Sequence, residues 1–273
     1  MFVLLLFVSN PRALFELFLY RNAIRELKFR FGLGKHSLNV DTVLVFAELI
    51  LRGIYYYRVG GKVLARFKKG LISLPNREYV SALNEPFEEM YKVFKFTGKV
   101  IDVGGYLGET GFLFWKWGAT EVVIYEPNPL FAQHSRETLL LNNVNGVVHE
   151  LFVNCSSSHS SISWSDVLQE KIHIAKVDCE GCENGLLSMA DETLRKIPNW
   201  VIECHDSQTL RWLGEKFLRA GFRVTFKIYL RKSGYTILDR EKPFHIETRI
   251  PNVPSDTMVV TYILIARLTS YKK

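Results

Sequence analysis

Three groups of residues in this 273-residue sequence have the types and spacing to do chemistry. The first is Asp102-Val103-Gly104-Gly105-Tyr106-Leu107-Gly108, directly after a short apolar run. A glycine at a strand exit lets the backbone turn sharply and leaves no Cβ between chain and ligand. Gly108 stands where a helix would open, and free N–H groups at a helix start suit a carboxylate or phosphate. Tyr106 takes the place of the middle glycine of a dinucleotide fingerprint, so a pyrophosphate cradle is not expected. The acid at the strand tip, Asp102, suits a ligand carrying an ammonium group.

The second is Glu126, 22 residues beyond Gly104 and again just after an apolar run. A carboxylate at that point can accept hydrogen bonds from both hydroxyls of a ribose. Taken together, Asp102, Gly104, Tyr106, Gly108 and Glu126 describe a pocket for an adenosine joined to an amino acid. S-adenosylmethionine is such a molecule. The competing reading is a tight turn beside an unrelated surface glutamate.

The third comprises Lys176-Val177-Asp178-Cys179-Glu180-Gly181-Cys182-Glu183 and Glu203-Cys204-His205. Methyl transfer from a sulfonium needs in-line alignment, and an alcohol acceptor benefits from losing its proton. Glu180, Glu203 and His205 are the catalytic candidates, with His205 the natural base near neutral pH. Asp178, Glu180 and Glu203 read alternatively as ligands of a divalent ion, although no metal is predicted. They read also as caps and loop braces. Cys179 and Cys182 form a C-x-x-C near Cys204 and His205, open to a zinc or redox reading. Small buried apolar side chains are the competing reading for them. The other histidines (His36, His134, His149, His159, His173 and His245) have no partner spacing and read as surface or packing residues.

The elements that must position these groups alternate. Strands are predicted over 99–103, 121–125, 147–153, 172–177, 200–204, 223–228 and 261–266. Helices are predicted from the glycine turn to 117, over 129–142 and over 209–220. This rhythm predicts an α/β, Rossmann-like, mostly parallel sheet, in which ligands bind beyond the strands' carboxyl ends. Ahead of it, helices are predicted over 11–30 and 41–52, a β-hairpin over 54–67 and a short helix over 86–96. Residues 1–95 thus read as a basic helical and β-hairpin extension, and 96–273 as the Rossmann-like domain. The stretch 231–258, with Pro243, Pro251 and Pro254, reads as a long loop, and 156–165 as a serine-rich one.

Apolar residues at 48% and charged residues at 23% fit a globular protein with a sizeable core. The net charge is +7, and residues 1–98 carry all of it, with 15 Lys and Arg against 8 Asp and Glu. A basic extension admits nucleic acid, an anionic membrane surface or an acidic substrate, or is a solvated face. Four cysteines do not make a secreted disulfide framework, so a reducing, cytoplasmic setting is expected. The apolar run 1–8 is too short to span a membrane and lacks a basic leader. A buried strand or docked terminus is the first reading of it, and shallow peripheral membrane contact the second.

Five blocks give the sequence a resemblance: Asp102 to Thr110, Tyr125-Glu-Pro-Asn-Pro129, Leu141-Asn-Asn143, Lys176 to Glu183 and Ile202-Glu-Cys-His205. In this order and spacing they resemble the FkbM-family methyltransferases, over about residues 75–266. The Asp-x-Glu-Gly-x-Glu block is the most discriminating. The resemblance implies a seven-stranded class I methyltransferase sheet with an antiparallel last strand and S-adenosylmethionine as donor. It also implies O-methylation of a sugar or other small-molecule hydroxyl. Carried over by position, Asp102, Gly104 and Gly108 would hold the methionine end, Glu126 the ribose, and Asp178 would lie near the sulfonium. Departures are a shortened region between the third and fourth strands and cysteine at both 179 and 182. An RNA methyltransferase that docks RNA on the basic extension is the alternative. A non-catalytic relative that keeps the pocket for stability is a third reading.

Overall fold

The computed structural model describes residues 53–154, 156–231, 235–247 and 260–269, together with Leu49. The apolar run 1–8, the helix predicted over 11–30, that over 41–52 apart from Leu49, His36 and Cys155 lie outside them. The chain divides into two units, one ending at Glu85 and taking in Leu140–Asn142, the other formed by the rest. The division falls ten residues before the 95/96 boundary read from the sequence.

In the first unit, β1 (Tyr55–Val59) and β2 (Lys62–Phe67) form the expected hairpin, and β3 (Gly70–Leu74) extends it antiparallel. A 3-10 helix, Arg77–Asn84, follows. It opens on Asn76, whose side chain accepts the Glu78 N–H at 2.8 Å. Tyr56, Val63, Ile72, Leu74, Val80 and Leu83 are buried.

The second unit starts with α1 (Phe87–Tyr91), shorter than the helix predicted over 86–96. The chain leaves the helix early, and Phe96 stacks on Phe114 with ring centroids 5.1 Å apart. Next come β4 (Gly98–Val103), α2 (Glu109–Lys116), β5 (Ala119–Tyr125), α3 (Pro129–Leu141) and β6 (Gly146–His149). β7 (Phe152–Asn154), β8 (Ser161–Ser163), α4 (Trp164–Val167), β9 (Ile174–Val177), α5 (Gly185–Ser188) and α6 (Asp191–Leu194) follow. β10 (Asn199–Cys204), α7 (Ser207–Arg219), β11 (Phe222–Arg231), β12 (Tyr235–Pro243) and β13 (Val260–Leu268) complete it.

Among the described residues, eight strands form the central sheet in the order β12-β11-β13-β10-β9-β4-β5-β6. β10, β9, β4, β5 and β6 pair in parallel, whereas β13 is antiparallel to both β10 and β11. The α/β, mostly parallel, Rossmann-like class read from the sequence is therefore observed. The implied seven strands become eight, because β12 pairs along β11 where a loop was expected. The strand predicted over 147–153 is two strands. β6 joins the main sheet, and β7 pairs with β8, inside the serine-rich stretch, as a separate small sheet.

Strands buried on both faces need nearly continuous apolar runs. Val122–Tyr125 and Trp200–Ile202 supply them, all buried. α7 earns its place through one apolar stripe, Leu210, Leu213 and Phe217, and is capped by Asp206 accepting the Thr209 N–H at 2.7 Å. β4 leads to β5 on one side of the sheet while β9 lies on its other side, so the strand order reverses between β4 and β9. Ligand crevices form at such a switch point. Among the described residues, no helix is long and apolar enough to cross a membrane.

Candidate functional site

The tips of β4, β5, β9 and β10 bring the sequence candidates to one end of the sheet. After Val103 the chain turns at Gly104, whose N–H donates to the Tyr125 carbonyl at 2.9 Å. The Asp178 carbonyl oxygen lies 1.6 Å from where a Cβ on Gly104 would stand, so the turns after β4 and β9 touch backbone to backbone. Tyr106 carries a positive φ of 45° and packs its ring edge-on against Phe131, centroids 4.5 Å apart. Gly108 precedes α2 and packs against Ser135.

Glu126 reaches back over this turn from the end of β5. One carboxylate oxygen accepts the Tyr106 N–H at 2.9 Å and the other accepts the Asn128 N–H at 2.8 Å. The residue is 6% exposed. Burial raises its pKa above the ordinary carboxylate value, and the two N–H groups pull it back. Glu126 and the turn that follows Asp102 thus form one construction.

Asp102 corrects the sequence reading. A carboxylate at a strand tip was expected to face a ligand's ammonium, but this one is wholly enclosed. It takes a hydrogen bond from the Thr110 hydroxyl and pairs with the Lys176 ammonium at 2.9 Å. Burial raises the Asp102 pKa, with Lys176 and Thr110 opposing. Lys176, on β9, is the cation, a residue to which local spacing assigns no role. It is 1% exposed, donates to the Gly104 carbonyl at 2.7 Å, and lies 3.4 Å from Asp178. A lysine inside an apolar strand must be paired, and that was the available signal.

Tyr91 is a second residue missed. Its hydroxyl lies 2.7 Å from a Glu203 oxygen and 3.3 Å from an Asp178 oxygen, and its ring sits 5.7 Å from the Lys176 ammonium. It comes from α1, which β11 anchors: Lys227 and Tyr229 both donate to the Glu89 carbonyl. Nothing in the local sequence of α1 signals this role.

His205 follows β10. Its Nε2 lies 3.7 Å from a Glu180 oxygen and 4.0 Å from an Asp178 oxygen. Glu180 is exposed and Glu203 is buried. Tyr91, Asp178, Glu180, Glu203 and His205 therefore form one cluster beside the glycine turn. It joins an exposed imidazole edge to buried carboxylates, a composition suited to accepting and relaying a proton.

Cys179 and Cys182 are joined as a disulfide, which corrects their reading as two separate apolar side chains. Cys204 is a buried free thiol, its pKa pushed up by burial. The Glu183 carboxylate lies beside the two sulfurs, but a disulfide offers no thiolate to a metal ion, so only the reduced pair could serve as ligands.

Neither a protein-family model nor a curated protein matches the chain. Among solved structures, it is similar to M. jannaschii TYW2 in complex with AdoMet, at 14% identity and TM-score 0.44, covering 79% of this chain and 93% of that one. It is similar also to precorrin-6y C5,15-methyltransferase from Geobacter metallireducens, at 14% identity and TM-score 0.43, covering 72% and 90%. A third is precorrin 8W decarboxylase of Methanobacterium thermoautotrophicum, at 16% identity and TM-score 0.41, covering 72% and 94%. At these values no activity or residue role passes from those proteins to this chain.

Proposed function

We propose that this protein is an S-adenosylmethionine-dependent methyltransferase that methylates a hydroxyl of a sugar or other small molecule. The observation that carries the reading is the closure of Glu126 onto the glycine turn at the sheet's switch point. A nearly buried carboxylate braced by two backbone N–H groups is a fitting acceptor for paired ribose hydroxyls. The FkbM-like order of the sequence blocks supports the same reading. S-adenosylmethionine, when bound, supplies an electrophilic methyl group. Gly104, Tyr106 and Gly108 would shape the methionine end, with Asp102 acting through the turn that it anchors to Lys176. Asp178 would lie near the sulfonium.

On the acceptor side, His205 would take the hydroxyl proton, with Glu180 and Asp178 orienting and stabilising the imidazolium that forms. Glu203 would hold Tyr91. The decisive experiment offers isotopically labelled S-adenosylmethionine with pools of sugars, lipids and RNA, and follows where the methyl group goes. Label on a small hydroxyl compound is the expected result. Label on RNA would replace the acceptor class, and no transfer to any pool would defeat the reading.

Two variants test the assignments. Glu126→Ala weakens S-adenosylmethionine binding by about 1–3 kcal/mol through the loss of charged hydrogen bonds. Calorimetric titration checks it, and an unchanged isotherm removes the ribose role. His205→Ala keeps cofactor affinity and lowers turnover by about 10²–10⁴-fold. An unaltered rate with the true acceptor would rule it out as the base.

A further inference from the structure

We propose that Cys179 and Cys182 are a redox-active pair whose disulfide latches the cofactor turn. The inference rests on the cofactor-site reading above and adds a control to it. Three observations carry it. The disulfide closes a short ring immediately after Asp178, so Glu180 lies inside the ring. Glu180 holds a φ of +53°, a left-handed conformation that a non-glycine residue keeps only when its surroundings enforce it. The Cys179 Cα lies 3.1 Å, and the Asp178 carbonyl oxygen 1.6 Å, from the Cβ position of Gly104. Any relaxation of the ring is therefore felt by the turn after β4, as well as by the Glu180 and Asp178 carboxylates beside His205.

The two sulfurs differ in access. Cys179 is half-buried and Cys182 is buried in the core, so an incoming thiolate meets Cys179 first. The thiolate of a dithiol reductant attacks the Cys179 sulfur. The S–S bond breaks, a mixed disulfide forms at Cys179, and Cys182 leaves as a thiolate that takes a proton. The reductant's second thiol then attacks its own sulfur in the mixed disulfide, releasing Cys179 as a thiol and the reductant as a cyclic disulfide. Two electrons and two protons pass to the protein. The closed form is the binding-competent one, because it holds the Asp178–Cys179 backbone against the turn and Glu180 beside His205.

The test compares the full chain oxidised with glutathione disulfide and reduced with dithiothreitol, each titrated with S-adenosylhomocysteine. Peptide mapping identifies the 179–182 link in the oxidised sample. The expected result is binding about fivefold or more tighter when oxidised. The Cys182→Ser variant should show one affinity under both conditions. Equal affinities in the two states, tighter binding by the reduced chain, or failure of the link to form each overturns the latch while leaving the cofactor site standing. Binding in neither state overturns the cofactor site and the latch together. A stoichiometric zinc ion held by the reduced pair, found by elemental analysis and lost in Cys182→Ser, would also overturn it.

Discussion

Replacing Lys176 by methionine destabilises the protein by about 3–5 kcal/mol, the cost of removing one partner from a buried ion pair. The ammonium is enclosed together with Asp102, 2.9 Å away, and it also holds the Gly104 carbonyl at 2.7 Å. Methionine fills the volume but leaves a buried carboxylate that keeps the Thr110 hydroxyl and loses its cation. The paired change Lys176→Met with Asp102→Asn removes both charges and should recover most of the loss, since an apolar or neutral pair of similar shape is often tolerated. Urea unfolding of both variants measures this. A single-variant loss below about 1 kcal/mol, the level of an exposed pair, would refute it.

The pH dependence follows from the same group. Burial would lower the Lys176 pKa, but Asp102 and Asp178 outweigh it and hold the value above the ordinary 10.5. A raised lysine value stabilises fully below its unfolded pKa and fades only as the pH rises through the folded one. The lysine's contribution is thus flat from neutral pH to about 10 and falls at more alkaline pH.

The second large effect is that of Gly104→Ala. Its φ of +78° disfavours any side chain, and the new methyl would stand 1.6 Å from the Asp178 carbonyl oxygen. Both the turn and its obstacle are backbone, so relief requires the tips of β4 and β9 to part. A loss of about 3 kcal/mol or more in stability, accompanied by loss of cofactor binding, is expected. Gly221→Ala is the control. Its φ of +87° is similar but nothing lies within 4 Å, so about 1–2 kcal/mol from conformation alone is expected. Comparable unfolding free energies for the two variants would show that contact with Asp178 is unimportant.

The strands at the heart of the sheet were legible because each carries a mostly apolar run, such as Val122–Tyr125 or Trp200–Ile202, with a glycine or an acid at or near its end. The same punctuation located the candidate site, since Asp102, Glu126, Asp178 and Glu203 all end or follow such runs. Orientation was not legible. An acid at a strand tip reads the same whether it faces a ligand or a lysine on the neighbouring strand, and Asp102 proved to be the second kind. Tyr91 meets Glu203 across 112 residues of sequence, a contact that no local spacing encodes. β12 was hidden because its mixed charge and Pro243 resemble a loop. Its pairing is written in β11, which supplies the edge.

The position of β13 has a consequence for how the protein is made. Among the described strands it comes last in sequence, yet it lies between β10 and β11 and pairs with both. During vectorial synthesis the β11–β12 hairpin emerges with no strand to connect it to β10, and two sheet edges stay open until residues 260–268 leave the ribosome. Open edges recruit wrong partners. Nascent chains halted before that point should therefore cling to chaperones, and the sheet should close in one late step.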